Sequence, residues 1–172
     1  MTILAIMRHA KSDWGQPGLA DSDRPLNERG RKAAKRVGRK LKHRRIRFDR
    51  VIASPAVRVR QTLERLQHGY GQDFPVTFEP AIYEASLDRL FALVRAIPGN
   101  VHAPLLIGHN PGLYQLVLAL TSPDDWGLRE KVTENLPTAA LALIEFPVVR
   151  WDEVLQGSGT VRELILPREL ED

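Results

Sequence analysis

The stretch Ile3-Leu4-Ala5-Ile6-Met7-Arg8-His9-Ala10-Lys11-Ser12 sets an apolar run directly before a cluster of basic and polar side chains. Such a short apolar run, followed by a polar loop with Gly and Pro from about Lys11 to Pro25, predicts a buried strand over Ile3 to Met7. The strand delivers Arg8 and His9 at its carboxyl end. The same design recurs in Ala53-Ser54-Pro55-Ala56-Val57-Arg58, behind a short strand from Arg50 to Ala53. It recurs again in Ile107-Gly108-His109-Asn110-Pro111, behind an apolar strand from Leu105 to Gly108.

Between these segments the pattern changes period. Asn27 is placed to cap a helix in which Gly30, Ala33, Ala34, Val37, Gly38 and Leu41 recur at helical spacing. Ser54-Pro55 has the form of an N-cap followed by proline at the first helical position, which predicts a helix through about Gln67. Asn110-Pro111 repeats that form before a helix to about Leu120. Val76 to Phe78 reads as a short strand, and Ser86 as the cap of a helix to about Ile97. Thr138 to Phe146 and Thr160 to Leu166 read as a closing pair of strands, with Gly157-Ser158-Gly159 as the turn before the second. Strands alternating with amphipathic helices predict an α/β sandwich on a largely parallel sheet. With 172 residues and no linker or repeat, one domain over 1–172 is expected.

The formal charge of +4 and a sequence pI of 9.7 suggest an acidic partner such as nucleic acid. The distribution argues otherwise. Arg29 to Arg47 holds 11 of the 25 Lys and Arg and no acid, leaving 14 basic against 21 acidic residues elsewhere. A solvated amphipathic helix face is the plain reading of that segment, with docking of an acidic phosphoprotein as the functional one. No helix-turn-helix, RNP or zinc-finger pattern accompanies the charge, so nucleic acid is not expected as a partner. The absence of cysteine excludes disulfides, thiolate catalysis and Zn–Cys or Fe–S sites, and leans to the cytosol. No window approaches the length of a membrane span, and Ile3 to Met7 lacks the long apolar core of a signal peptide. A cytoplasmic protein without membrane association is expected.

In a parallel α/β sheet, ligands bind beyond the carboxyl ends of the strands, where helix N-termini also present free N–H groups. Two arginines, two histidines and two helix starts converging there make a site for a dianion, which points to phosphate. Arg8 and Arg58 can each donate in a fork to phosphoryl oxygens. A neutral imidazole with Nδ1–H tied to a backbone carbonyl presents Nε2 as a nucleophile, and a second, protonated imidazole can stabilise the transferring group. A single histidine is more often a hydrogen-bonded structural residue, but His9 and His109 share the strand-end context. His43, His68 and His102 do not. The adjacent arginines would repel a cation, and no carboxylate lies at ligand spacing, so no metal and no cofactor is expected.

Six stretches carry a resemblance to a known family: "MRHAKSDW" from Met7, "DRPLNERGRKAA" from Asp23, "SPAVRVRQT" from Ser54, "IYEAS" from Ile82, "LIGHNPGL" from Leu106 and "LPTAALALIEF" from Leu136. In this order, over nearly the whole chain, they resemble the histidine phosphatases of the phosphoglycerate-mutase-like superfamily, and within it the SixA-type phosphohistidine phosphatases. The resemblance implies a three-layer α/β/α sandwich with a mostly parallel central sheet. It implies His9 as the residue phosphorylated in turnover, with Arg8, Arg58 and His109 holding the phosphoryl group and Ser12 and Asn110 as further substrate contacts. Glu84 matches the family's catalytic acid, with Asp13 a weaker candidate. Ala10 stands where the superfamily more often has glycine. The implied partner is a phosphohistidine-bearing protein or a small phosphate ester, met by a monomer. A phosphate-binding module without turnover is the competing class, and His9 is the feature it would not need.

Overall fold

The computed structural model describes residues 1–132 and 135–171. Its centre is a six-stranded sheet in the order β3-β2-β4-β1-β5-β6. The strands are β1 (Thr2–Arg8), β2 (Arg50–Ala53), β3 (Val76–Phe78), β4 (Pro104–Gly108), β5 (Leu141–Phe146) and β6 (Thr160–Ile165). β1 pairs in parallel with β4, β4 with β2, and β2 with β3, whereas β5 runs antiparallel to β1 and β6 antiparallel to β5. The sheet is thus mixed, with its parallel part on the side that carries the three strand-end motifs.

Alternation along the central strand separates two cores. Leu4 and Ile6 of β1 face the layer of helices α3 (Leu87–Arg95) and α4 (Gly112–Leu120). Ala5 and Met7 face α1 (Glu28–His43) and α2 (Val57–Tyr70). This is the α/β sandwich that the alternation of elements predicts, in the three-layer α/β/α form that the resemblance implies. Helix α1 buries Gly30, Ala34, Val37, Gly38 and Leu41 and turns its basic side outward, with Asn27 Oδ1 accepting from the Gly30 N–H at 2.8 Å as its cap. The α1–α2 contact is unusually close. A Cβ added to Gly38 would lie 2.0 Å from the Leu66 carbonyl oxygen, and one on Gly69 would lie 2.0 Å from that of Lys35. Only glycine permits that approach.

Register aligns the motifs. Arg8 pairs with Gly108, and Ala53 with Ile107, so β1, β2 and β4 end level with one another. Four local readings shift. Ser54-Pro55 does not open α2: the helix begins at Val57 with Ala56 at its N-cap position, because the Ser54 hydroxyl is drawn to His109 and reaches only the Ala56 N–H, at 3.3 Å. The turn of α4 begins one residue later than Asn110-Pro111 suggests, with Pro111 at the N-cap, and the Asn110 side chain caps instead by accepting from the Tyr114 N–H at 3.3 Å. β5 starts at Leu141 rather than Thr138, because Thr138 and Ala139 form a turn whose Ala139 N–H is shared by the Arg8 and His9 carbonyls, each at 3.1 Å. α2 extends to Tyr70 and stops at Gly71, whose φ of 84° is a left-handed cap.

Candidate active site

A cavity of about 530 Å³ opens at the level strand ends, and Arg8, His9, Ser12, Arg58, His109 and Asn110 all line it. The His9 and His109 rings stand 5.4 Å apart, centre to centre. Burial and bonding give the two imidazoles different protonation patterns. His9 Nδ1 lies 2.7 Å from the Ala10 carbonyl oxygen, which can only accept, so the ring's proton sits on Nδ1 and its lone pair on Nε2. Burial pushes the His9 pKa down to about 3 against the raising pull of that hydrogen bond, and the charges of His109, Arg58 and Arg8 act with burial. His9 is therefore neutral at physiological pH with a nucleophilic nitrogen available.

His109 is held in the opposite tautomer. Arg58 Nη2 can only donate, so His109 Nδ1 accepts from it at 3.2 Å, and His109 Nε2 donates to Ser54 Oγ at 2.8 Å. Burial first, and then Arg58, lower its pKa to about 4. The expectation of a protonated second imidazole is thereby corrected: in this arrangement His109 is neutral and donates to Ser54, because burial first, and then the neighbouring guanidinium, disfavours a second charge. Arg8 Nη1 donates to the Leu136 carbonyl at 3.2 Å, and burial together with Arg58 draws the Arg8 pKa below its ordinary value.

Asp21 is the residue that sequence reasoning missed. Its carboxylate accepts from Tyr83 Oη at 2.5 Å, from Arg24 Nη2 at 3.1 Å and from Arg58 Nη2 at 3.0 Å, and its backbone carbonyl accepts from Arg58 Nη1 at 2.7 Å. The Tyr83 hydroxyl first, then the two arginines, hold that carboxyl well below the usual carboxylate range. Arg24 also donates to Ser12 Oγ, and its guanidinium stacks 3.5 Å from the ring centre of Trp14, which is 78% exposed at the cavity rim. Asp21 stands among three aspartates of one loop, Asp13, Asp21 and Asp23, and nothing in local sequence separates them.

The remaining candidates divide. Asp13 Oδ1 accepts from the Gly15 N–H at 2.8 Å, a turn contact, and the residue is not among those lining the cavity. Glu84, with φ of 54°, lies in an adjoining hollow of about 350 Å³ that shares Arg58, His109 and Asn110 with the main cavity. Asn110 Nδ2 is already engaged, donating to Asn135 Oδ1 and the Leu136 carbonyl at 2.8 Å each, so its place is structural as well as lining. Among the described residues no group of three or more His, Asp or Glu side chains is arranged to hold a metal ion, and no helix is long and apolar enough to cross a membrane.

Comparisons with known proteins bear on the family and the fold. Residues 4–97 match the family model of the histidine phosphatase superfamily (branch 1). An uncharacterized protein of Mycobacterium tuberculosis is 32% identical over 164 residues, covering 94% of this chain and all of its own length. The chain belongs to the histidine phosphatase superfamily. Among solved structures, the Agrobacterium tumefaciens protein provisionally assigned as the phosphohistidine phosphatase SixA superposes with a TM-score of 0.80 at 26% identity, over 96% of this chain and 98% of the other. The protein histidine phosphatase SixA complexed with tungstate gives 0.76 at 23%, over 96% and 97%, a likeness of fold.

Proposed function

We propose that this protein is a phosphatase that works through phospho-His9 and acts on phosphohistidine in proteins, as a cytoplasmic monomer that requires no metal. The observation that carries the reading is the His9 ring itself, buried, neutral and tied through Nδ1 to Ala10. Nε2 attacks phosphorus as the P–N bond to the substrate imidazole breaks, and that ring, protonated on its other nitrogen, takes the electron pair and leaves as neutral imidazole. Water then attacks phospho-His9, giving inorganic phosphate and restoring the ring. Arg8 and Arg58 carry the positive charge that the transferring oxygens need, and His109, anchored through Nε2–H on Ser54 Oγ, holds Arg58 in place by accepting from its Nη2. A neutral leaving imidazole, whose conjugate acid has a reference pKa of about 6.5, needs little help from an acid, which suits Glu84 standing outside the main cavity. The SixA likeness supports the protein substrate.

The test is a quenched turnover with a phosphohistidine peptide. An acid-labile, alkali-stable phosphoenzyme is expected, absent in His9→Ala, with phosphate release lowered by about three orders of magnitude or more. Label on a carboxylate or serine overturns the nucleophile, and equal release by His9→Ala overturns the enzyme reading in favour of a passive phosphate site. A small-molecule phosphomonoesterase is the second reading, favoured by Glu84 in a hollow continuous with Arg58 and His109. A screen of phosphoprotein against small phosphate esters separates the two.

A further inference from the structure

A second cavity, of about 290 Å³, lies beside the first and shares Lys11, Pro137 and Thr138 with it. Arg29, Lys32 and Arg36 of α1 and Arg168 of the turn after β6 complete its charged wall. Half of the described lining residues are thus cationic and none is acidic. The three α1 residues lie off the buried stripe of that helix and follow one another at helical spacing. The N-terminal part of the basic segment that made the sequence look like a polyanion binder is therefore a patch beside the catalytic cavity, with Lys11 common to both cavities.

We propose that this cavity is a docking site for an acidic segment, a run of Asp or Glu close to the phosphohistidine of the phosphoprotein substrate. The inference rests on the phosphoprotein reading above. Lys11, Arg29, Lys32 and Arg168, like charges gathered by folding, repel one another, and a complementary anion relieves that repulsion. Ala33, Leu166 and Pro167 add apolar wall between the cations, which fits peptide side chains. No aromatic side chain among the described lining residues offers a base a stacking surface, so the chemistry favours protein over nucleic acid. Through Lys11, an anion seated here is continuous with the phosphoryl site, so one substrate can fill both.

The test uses the full chain and the double charge reversal Arg29→Glu/Lys32→Glu, at exposed positions outside the catalytic cavity. The substrates are a phosphohistidine peptide with an Asp/Glu run, the same peptide with those acids replaced by Gln and Asn, and phosphoramidate. The wild type is expected to show a KM about tenfold lower for the acidic peptide, with the advantage shrinking as salt rises. The variant should lose that advantage and keep its rate with phosphoramidate, which also reports a folded site. No preference in the wild type, or an equal loss with phosphoramidate, overturns the proposal. Anisotropy with the unphosphorylated acidic peptide separates the two readings. If no phosphohistidine peptide is turned over but that peptide still binds the wild type about tenfold tighter than the variant, the substrate reading fails and the docking site stands. If a single-stranded oligonucleotide binds and the acidic peptide does not, the docking proposal falls.

Discussion

Asp21 grips Arg58 at two points, through its backbone carbonyl at 2.7 Å and its carboxylate at 3.0 Å. The guanidinium is thereby held where its Nη2 also meets His109. Asp21→Asn keeps the carbonyl contact and removes the charge. It should lower kcat/KM by about tenfold, near 1.4 kcal/mol, as expected for weakening a charge-assisted hydrogen bond on a half-exposed carboxylate. Tyr83→Phe, which only orients Asp21, should cost less. Steady-state kinetics with one substrate check both, and wild-type values for Asp21→Asn would remove its positioning role.

The buried histidines predict a direction for acid stability. His9 and His109 titrate at about 3 and about 4 in the folded protein, against about 6.5 unfolded. Below that unfolded value the unfolded chain binds protons that the native site refuses. Stability is therefore full above pH ~6.5 and falls as pH drops toward the folded values, by up to about 1.4 kcal/mol per pH unit for each histidine. Asp21, its own pKa depressed, loses its contribution at lower pH in the same direction. Urea midpoints at pH 7, 6 and 5 should decline for the wild type and less steeply for His109→Gln. Identical midpoints across that range would contradict the neutral site.

Glu84→Gln should separate leaving groups. An alkoxide needs a proton as it departs and an imidazole needs one far less, so the loss should be larger with alkyl phosphates than with phosphohistidine. Equal losses would deny Glu84 an acid's role.

Close helix packing makes Gly38 sensitive. Gly38→Ala should destabilise by about 1–3 kcal/mol through overpacking against the Leu66 carbonyl, with little change in kcat. Gly30→Ala should affect both, because its Cβ would lie 2.1 Å from the carbonyl of Lys11, a cavity residue. Gly99→Ala, with nothing within 4 Å, is the control. Thermal melts and initial rates read all three.

Much of the fold was legible because its signals are local. Apolar runs marked β1, β2 and β4, and the small-residue stripe of α1 marked the face that packs on α2. The helix starts at Ser54 and Asn110 misled in different ways: the Ser54 hydroxyl is claimed by distant His109, whereas Asn110 still accepts from the Tyr114 N–H while its amide reaches Asn135 and Leu136, and the helix itself begins one residue later. Sequence spacing carries no record of such contacts.

Periodicity and composition suffice to put Arg8, His9 and His109 at strand ends and to concentrate positive charge on one helix. Tertiary structure alone decided that Asp21, rather than Asp13 or Asp23, meets Arg58, that His109 is neutral, and that the basic face borders the catalytic cavity. Those are matters of burial and of distance between residues far apart in the chain, where desolvation and a neighbouring charge outweigh anything a side chain's identity dictates.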